Sequence, residues 1–313
     1  MMRAISFAAG VALDDRWGDP PTHLHPVALL GNAINALHAR APRGDDDRLR
    51  YGAMTALGLP LAAAAVTVLA RRIAAQLPLG GALFDVLLLD ATSALHTLLA
   101  RALEIEAALQ AGDIEAARNL CGMHMVSRDT STLTPAEVAG ATIESVAENL
   151  SDGVVAPWLA FALGGAPAAV AYRAANTLDS LWGYRNAEFE LLGKVGARLD
   201  DVLNIIPSRL TALAIIAAAA VPRFGAHADV LEALACWRTD AQRTASPNAG
   251  HPMSAMAGAL NVRLVKHGAY TLGDHHRDPE TADIGRAVRL TRGAASLVGA
   301  GLLGALVLTG ARP

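Results

Sequence analysis

The chain has little of what stabilises or decorates an ordinary soluble domain. Two cysteines, Cys121 and Cys236, are too few for a disulfide framework or a cysteine-based zinc site. Aromatic residues make up 4%, which leaves no stacking platform for single-stranded nucleic acid. Charged residues make up 18%, against a usual share of about 25%. Lys and Arg number 26 against 29 Asp and Glu, a net charge of −3 with no basic tract, which excludes nucleic acid as a partner. Internal repeats and low-complexity linkers are absent. So are HExxH, GxSxG and a Walker A loop: Gly193-Lys194 is followed by Val195 and lacks the upstream glycine. Apolar residues are what the chain has in excess, 53% of it with a mean hydropathy of +0.32. That excludes disorder and points to an all-α, polytopic membrane bundle with extramembrane helices and loops, one membrane-embedded domain over residues 1–313.

Three charge-free stretches are long enough to span a bilayer, which takes roughly 20 apolar residues: Tyr51 to Ala70, Gly153 to Tyr172 and Gly293 to Ala311, each flanked by arginine on at least one side. Leu79 to Leu103 carries Asp85, Asp90 and His96 and would have to face protein. Val202 to Pro222 is interrupted by Pro207 and Arg209. The N-terminal MMRAISFAAGVAL has a short apolar region and no clear cleavage site, so it reads as a first membrane-associated helix. Residues 223–292 are more polar and read as an extramembrane region. Basic residues are shared too evenly among the loops to orient the chain.

The densest polar run is RDTSTLTPAEVAGATIESVAENLSDG, Arg128 to Gly153. Thr134, Pro135 and Glu137 mark a helix start with a capping box. Beyond it Glu144, Glu148 and Asp152 recur every four residues, an acidic stripe on one helix face that needs a divalent cation or a basic partner to offset repulsion. Asn149 adds an amide beside it. Arg128, Asp129, Thr130 and Ser131 precede the helix with donors suited to a phosphate. A second cluster, YRAANTLDSLWGYRN followed by ARLDDVLNIIPSRL, offers Asn176, Asp179, Asp200 and Asp201 as hard oxygen ligands of the kind Mg²⁺ takes. It also offers Tyr184, Arg198 and Arg209 as binding groups. His25, in a proline-rich turn, is a candidate general base. Ser246 and Asn248 lie in a Pro/Gly-rich loop suited to a polar ligand. Asp274-His275-His276-Arg277-Asp278 reads as a solvated loop, and Gly299 to Gly304 matches GxGxxG only as small residues inside an apolar span.

These runs, in this order over nearly the whole chain, resemble the adenosylcobinamide-phosphate synthase family of cobalamin biosynthesis. The resemblance is carried by RDTSTL, ES-VAEN-xxDG-xxAP, AANTLDS, ARLDD-xxN-xxPSRL, SPNAG and AMAGAL; Ser127 departs from it, standing where that family usually has glycine. The resemblance implies an integral protein of the cytoplasmic membrane, with its active site facing the cytoplasm. The implied activity is ATP-dependent amide formation between adenosylcobyric acid and an aminopropanol phosphate. ATP is then a substrate and Mg²⁺ an expected cofactor, while the corrinoid and the amino-alcohol phosphate are substrates, so no permanently bound corrin is expected. Glu144, Glu148, Asp152 and His25 are the catalytic candidates, and Glu148, Asp152, Asp200 and Asp201 the candidate metal ligands. Homo-oligomerisation stays open. The residues alone also admit a transporter, or a membrane transferase acting on a phosphorylated substrate.

One topological expectation follows. Gly164-Gly165-Ala166-Pro167 interrupts the apolar run between the two polar clusters, and glycine and proline weaken a helix interior by roughly 1 and 3 kcal/mol. A re-entrant hairpin, Val154 to Leu163 in and Ala168 onward out, would keep both clusters on one aqueous side.

Overall fold

The computed structural model describes residues 1–21, 25–225 and 227–310. In chain order the helices are α1 (Met2–Trp17), α2 (Pro26–His38), α3 (Asp45–Ala74), α4 (Gly80–Thr92), α5 (Leu95–Gln110), α6 (Ile114–His124) and α7 (Pro135–Leu150). A wider π-helical turn (Ser151–Val155) follows, then α8 (Ala156–Gly164), α9 (Ala166–Trp182), α10 (Lys194–Leu203), α11 (Ile205–Ala219), α12 (Val230–Asp240) and α13 (Gly250–Leu260). One antiparallel hairpin, β1 (Leu264–Lys266) with β2 (Tyr270–Leu272), precedes α14 (Thr281–Gly310). The fold is all-α, as the composition implies. Residues 22–24 of the proline-rich turn, and Ala311 at the end of the last apolar stretch, lie outside the described residues.

The chain divides into two compact units: Met1–Ala94, Ala156–Asn204 and Gly301–Pro313 form the first, Leu95–Val155 and Ile205–Ala300 the second. In the first, α3 and α2 pack on α9 around Ile34, Ala56, Leu178, Trp182 and Leu192. Phe7 of α1 meets Trp158 of α8 edge-on at 5.9 Å, and the Trp158 indole N–H donates to Ser93 Oγ at 2.8 Å. In the second, α13 packs on α12, α11 and α7. Small residues permit that approach: a methyl on Gly258 would stand 2.2 Å from the Glu232 carbonyl oxygen of α12.

Three helices are long and apolar enough to cross a membrane: Asp45–Ala74, Gly80–Gln110 and Thr281–Gly310. Large apolar side chains of α3 face outward, Met54 at 74% and Leu61 at 71% exposure, which suits a helix sheathed by lipid. The charged stretch around Leu79–Leu103 qualifies on length and hydropathy, and its acids Asp85 and Asp90 are buried. Asp85 accepts from Arg71 Nε and Nη2 at 2.8 and 2.9 Å, a bidentate pair within the first unit. Val202–Pro222 qualifies only when α10 and α11 are counted together as one broken span.

Gly153–Tyr172, expected from length as a span, is not one helix. The π turn takes its start, α8 ends at Gly164, and Gly165 adopts a φ of 73°. Only glycine occupies that region without strain. Pro167 then sits in the first turn of α9, where its missing N–H costs nothing. The break falls where the Gly-Gly-Ala-Pro run predicts it, and α8 packs against α9.

Two measurements check this architecture. Gly258→Ala should lower stability by roughly 1–3 kcal/mol through overpacking, read as a fall in the thermal unfolding midpoint in detergent; an unchanged midpoint would mean α12 and α13 are not so closely apposed. Since Leu150 and Trp182 are buried while Asn149 and Tyr184 are exposed, Asn149→Cys and Tyr184→Cys are the positions for accessibility labelling. Modification of both from the same membrane face is the outcome expected of a re-entrant break at Gly165.

Candidate functional site

Helix α7 starts as its sequence dictates. Thr134 Oγ1 accepts from the Glu137 N–H at 3.3 Å, and Glu137 Oε2 accepts from the Thr134 N–H at 2.7 Å. The second oxygen of Glu137 lies 2.6 Å from His267 Nε2, which ties the β1–β2 turn to the helix start. The Thr134 N–H and then His267 hold the Glu137 carboxyl down to about 2. This acid is structural.

About two turns further, α7 delivers Glu144 into a cavity of about 130 Å³ in the second unit, lined by Ser127, Arg128, Glu144, Glu148, Lys266 and Tyr270 among others. Arg128 comes from the loop before α7, Lys266 from β1 and Tyr270 from β2. Glu144 is 4% exposed. Its Oε2 lies 3.4 Å from Arg128 Nη2, while its Oε1 and the Arg128 Nε are buried with no hydrogen-bond partner among the described residues. Burial pushes the Glu144 carboxyl up to about 7; Arg128 opposes the rise and the Glu148 charge adds to it. Burial first, then Glu144 and Glu148, drive the Tyr270 phenol upward, so it keeps its proton. The basic relief that the acidic stripe requires therefore comes from a loop arginine and a hairpin lysine. Lys266 and Tyr270 are the residues that motif reading missed. Their signal was the LVKHGAYTL run, two short apolar-alternating segments about Gly268, which takes a φ of 73°.

The other predicted residues distribute as follows. Asp152 lies on the π turn and is not among the cavity's lining residues. Asn149 is exposed and donates to the Ser145 carbonyl at 3.0 Å. Asp129 Oδ1 accepts from the Ser131 N–H, and Thr130 Oγ1 donates to the Arg118 carbonyl, both at 2.9 Å. Of that loop Met125 to Arg128 line the cavity, while Asp129, Thr130 and Ser131 do not. His25 caps α2, its Nδ1 accepting from the Val27 N–H at 3.2 Å, with Asp19 Oδ1 3.7 Å from its Nε2. That position makes it a capping group in the first unit, and it is not among the residues lining the Arg128–Glu144 cavity.

In the first unit Asp200 is buried, and both its oxygens are engaged by amides: Asn176 Nδ2 at 3.2 Å and Asn204 Nδ2 at 2.9 Å. Tyr172 in turn donates to Asn204 at 2.8 Å. Those amides orient the Asp200 carboxylate within the first unit, one N–H on each oxygen. Asp179 closes α9, its carbonyl accepting from the Gly183 N–H. Tyr184, Arg198 and Asp201 share a cavity of about 330 Å³ with Arg185, Lys194 and Glu190, three cations against two carboxyl groups. In the second unit Arg209 donates to Asn248 Oδ1 at 3.0 Å and to Ser208, and Ser246 Oγ accepts from the Asn248 N–H at 3.2 Å. Those three predicted residues form one polar network.

The Arg128–Glu144 cavity thus combines a buried carboxyl that titrates near neutrality, a second carboxylate and two cations. It can bind a phosphorylated anion and exchange a proton with it. The hard oxygens of Glu148 fit a Mg²⁺ that keeps waters and phosphate oxygens as its other ligands.

Comparison with known proteins points one way. A family model described as CobD/Cbib protein matches residues 7–291. A protein of Chromobacterium violaceum named cobalamin biosynthesis protein CobD is 39% identical over 323 residues, covering 99% of each chain. A protein of the same name from Klebsiella pneumoniae is 37% identical over 95% of each chain. A probable cobalamin biosynthesis protein CobD of Methanothrix thermoacetophila is 37% identical over 93% of this chain and 92% of its own. No solved structure matches the chain significantly.

The Glu144 carboxyl generates a pH prediction. Its folded pKa lies above its unfolded value, so its contribution is fully present below about 4.5 and is lost as pH rises through about 7. Glu144→Gln should remove that loss, on the order of 3 kcal/mol. Unfolding midpoints of the two proteins measured from about pH 4 to about pH 8, which spans the shift, should diverge in favour of Gln as pH rises. Parallel curves would show that Glu144 is not a buried titrating acid.

Proposed function

The chain belongs to the CobD/Cbib family, and from that premise we propose that it acts in cobalamin biosynthesis as an ATP-dependent amide ligase. In this reading it joins the propionate carboxylate of adenosylcobyric acid to (R)-1-aminopropan-2-ol phosphate or a close relative, giving adenosylcobinamide phosphate. The observation that carries the chemistry is the buried Glu144 carboxyl beside Arg128, raised to about 7 by burial.

The balance of the reaction assigns the roles. A carboxylate is a poor electrophile, so the γ-phosphoryl group of ATP passes to it, releasing ADP and forming an acyl phosphate. The amine then attacks the acyl carbon, the C–O bond to phosphate breaks and phosphate leaves. One proton must leave the attacking nitrogen. Glu144, with a pKa near the working pH, is suited to take it. Arg128 offers a planar fork to phosphate oxygens and Lys266 a second positive charge in the same cavity. Tyr270, held protonated, remains a hydrogen-bond donor. Mg²⁺ at Glu148 would neutralise phosphate charge; Asp200, its oxygens on amides, is not assigned to it. The recess of Tyr184, Arg185, Lys194 and Arg198 is the candidate for a second phosphate-bearing group.

The test is product formation by detergent-solubilised protein supplied with ATP, Mg²⁺, adenosylcobyric acid and the aminopropanol phosphate, read by mass. Amide product dependent on both nucleotide and metal is expected. Glu144→Gln should lower kcat by about 10²–10⁴-fold, the usual scale of general-base catalysis. Wild-type kcat should rise with pH through about 7, as Glu144 deprotonates. Arg128→Lys, which keeps charge and loses the fork, should raise KM for a phosphorylated substrate. No amide product from a folded, fully supplied protein would remove the ligase assignment, and undiminished turnover in Glu144→Gln would remove Glu144 from it.

A further inference from the structure

Away from the Arg128–Glu144 cavity, the second unit gathers four metal-ligating side chains of three chemical kinds. Glu232 and Cys236 stand four residues apart on α12, so they share one face. His275 and His276 come from the loop that leaves β2. Their ligand atoms all lie within 4.8 Å of one another. Cys236 Sγ is 3.6 Å from His276 Nε2. Glu232 Oε2 is 3.1 Å from His275 Nε2 and 3.5 Å from His276 Nε2. Donors bound at about 2.0–2.3 Å around a tetrahedral ion sit about 3.3–3.8 Å from each other, and these separations fall at or near that edge length.

We infer that Glu232, Cys236, His275 and His276 form a binding site for a divalent transition metal of the zinc class, clasping α12 to the β1–β2 hairpin. The sequence reading of His275-His276 as a solvated loop, and of two cysteines as too few for a zinc site, missed it because the ligands are about forty residues apart in the chain. One thiolate, two imidazoles and a carboxylate suit Zn²⁺ and disfavour Mg²⁺ or Ca²⁺, which take oxygen.

The scaffold around the four ligands is set without the ion. Asp229 caps α12, its Oδ1 accepting from the N–H groups of Leu231 and Glu232 at 2.9 and 3.0 Å. Asp240, at the other end of α12, accepts from the Gly273 N–H at 2.7 Å. Gly273 has a φ of 64°, and its carbonyl accepts from the His276 N–H at 2.9 Å, closing the turn that aims both imidazoles at α12. Cys236 is buried and His276 nearly so, while His275 is exposed at 65%, which leaves the ion a route in from solvent. On binding, the Cys236 thiol gives its proton to solvent and ligates as thiolate. The same loop continues from the strand that bears Tyr270, so the ion would steady the hairpin that supplies Lys266 and Tyr270.

Cobalt titration of the full-length protein in detergent tests this, with Co²⁺ as the probe. Wild type freed of metal by chelator and dialysis should take up one Co²⁺ per chain, with a thiolate-to-cobalt charge-transfer band and d–d bands of tetrahedral intensity, both abolished by stoichiometric Zn²⁺. Cys121→Ser should leave the spectrum intact and Cys236→Ser should remove the charge-transfer band. His275→Ala alters an exposed side chain and so should keep the fold; it should weaken uptake and shift the d–d bands. Absence of the bands in folded wild type, or their persistence in Cys236→Ser, overturns the site. None of these readouts depends on amide-ligase turnover.

Discussion

The constraint on which the second unit depends is a carboxyl buried in the middle of a helix. Helix α7 buries most of its length, including Val138 through Ala147 without interruption, and Glu144 lies in the middle of that run. An isolated charge there would cost several kcal/mol, so the surroundings are arranged to answer it. Arg128 approaches from the preceding loop, and Lys266 and Tyr270 from the hairpin. Proximity of Arg128 offsets burial only in part, because the pair is 3.4 Å apart and one carboxylate oxygen is unpartnered. The group is left poised between its two protonation states, which is the condition a proton-transfer group at neutral pH requires.

Everything that holds the hairpin in place serves that arrangement. Glu137 both completes the capping box and grips His267 at the tip of the hairpin. Asp240 holds Gly273 at its exit, and the hairpin's first strand packs on α7. A two-stranded ribbon is marginal by itself. Here it is fixed at its turn and at its exit by carboxylates belonging to helices.

In the first unit two buried acids are engaged at both oxygens. Asp85 is paired bidentately with Arg71, and Asp200 is enclosed by the amides of Asn176 and Asn204. Such fully answered acids allow helices rich in exposed leucine and alanine to carry charge through an apolar environment. The same unit also carries a recess lined by Tyr184, Arg185, Lys194 and Arg198 together with Glu190 and Asp201.

Local rules determined a good deal of this protein. Thr134-Pro135-Glu137 specified the start of α7, the run of apolar residues specified α3 and α14, and Gly164 to Pro167 specified a break, because caps, long apolar runs and helix breakers act within a few residues of themselves. The four-residue spacing of Glu144 and Glu148 likewise placed two acids on one face, and the order of motifs identified the family. Tertiary structure decided which of those residues meet. It gave Arg128 to the cavity and turned Asp129, Thr130 and Ser131 to local hydrogen bonds. It engaged Asp200 with amides, and it made His25 a cap. It also brought Lys266 and Tyr270 to Glu144 from more than a hundred residues away, and His275 and His276 to Cys236. The physical reason is that a side chain's partners and burial depend on packing between distant elements, and those set the protonation of Glu144; the sequence spells out the periodicity of each helix but not which faces come together.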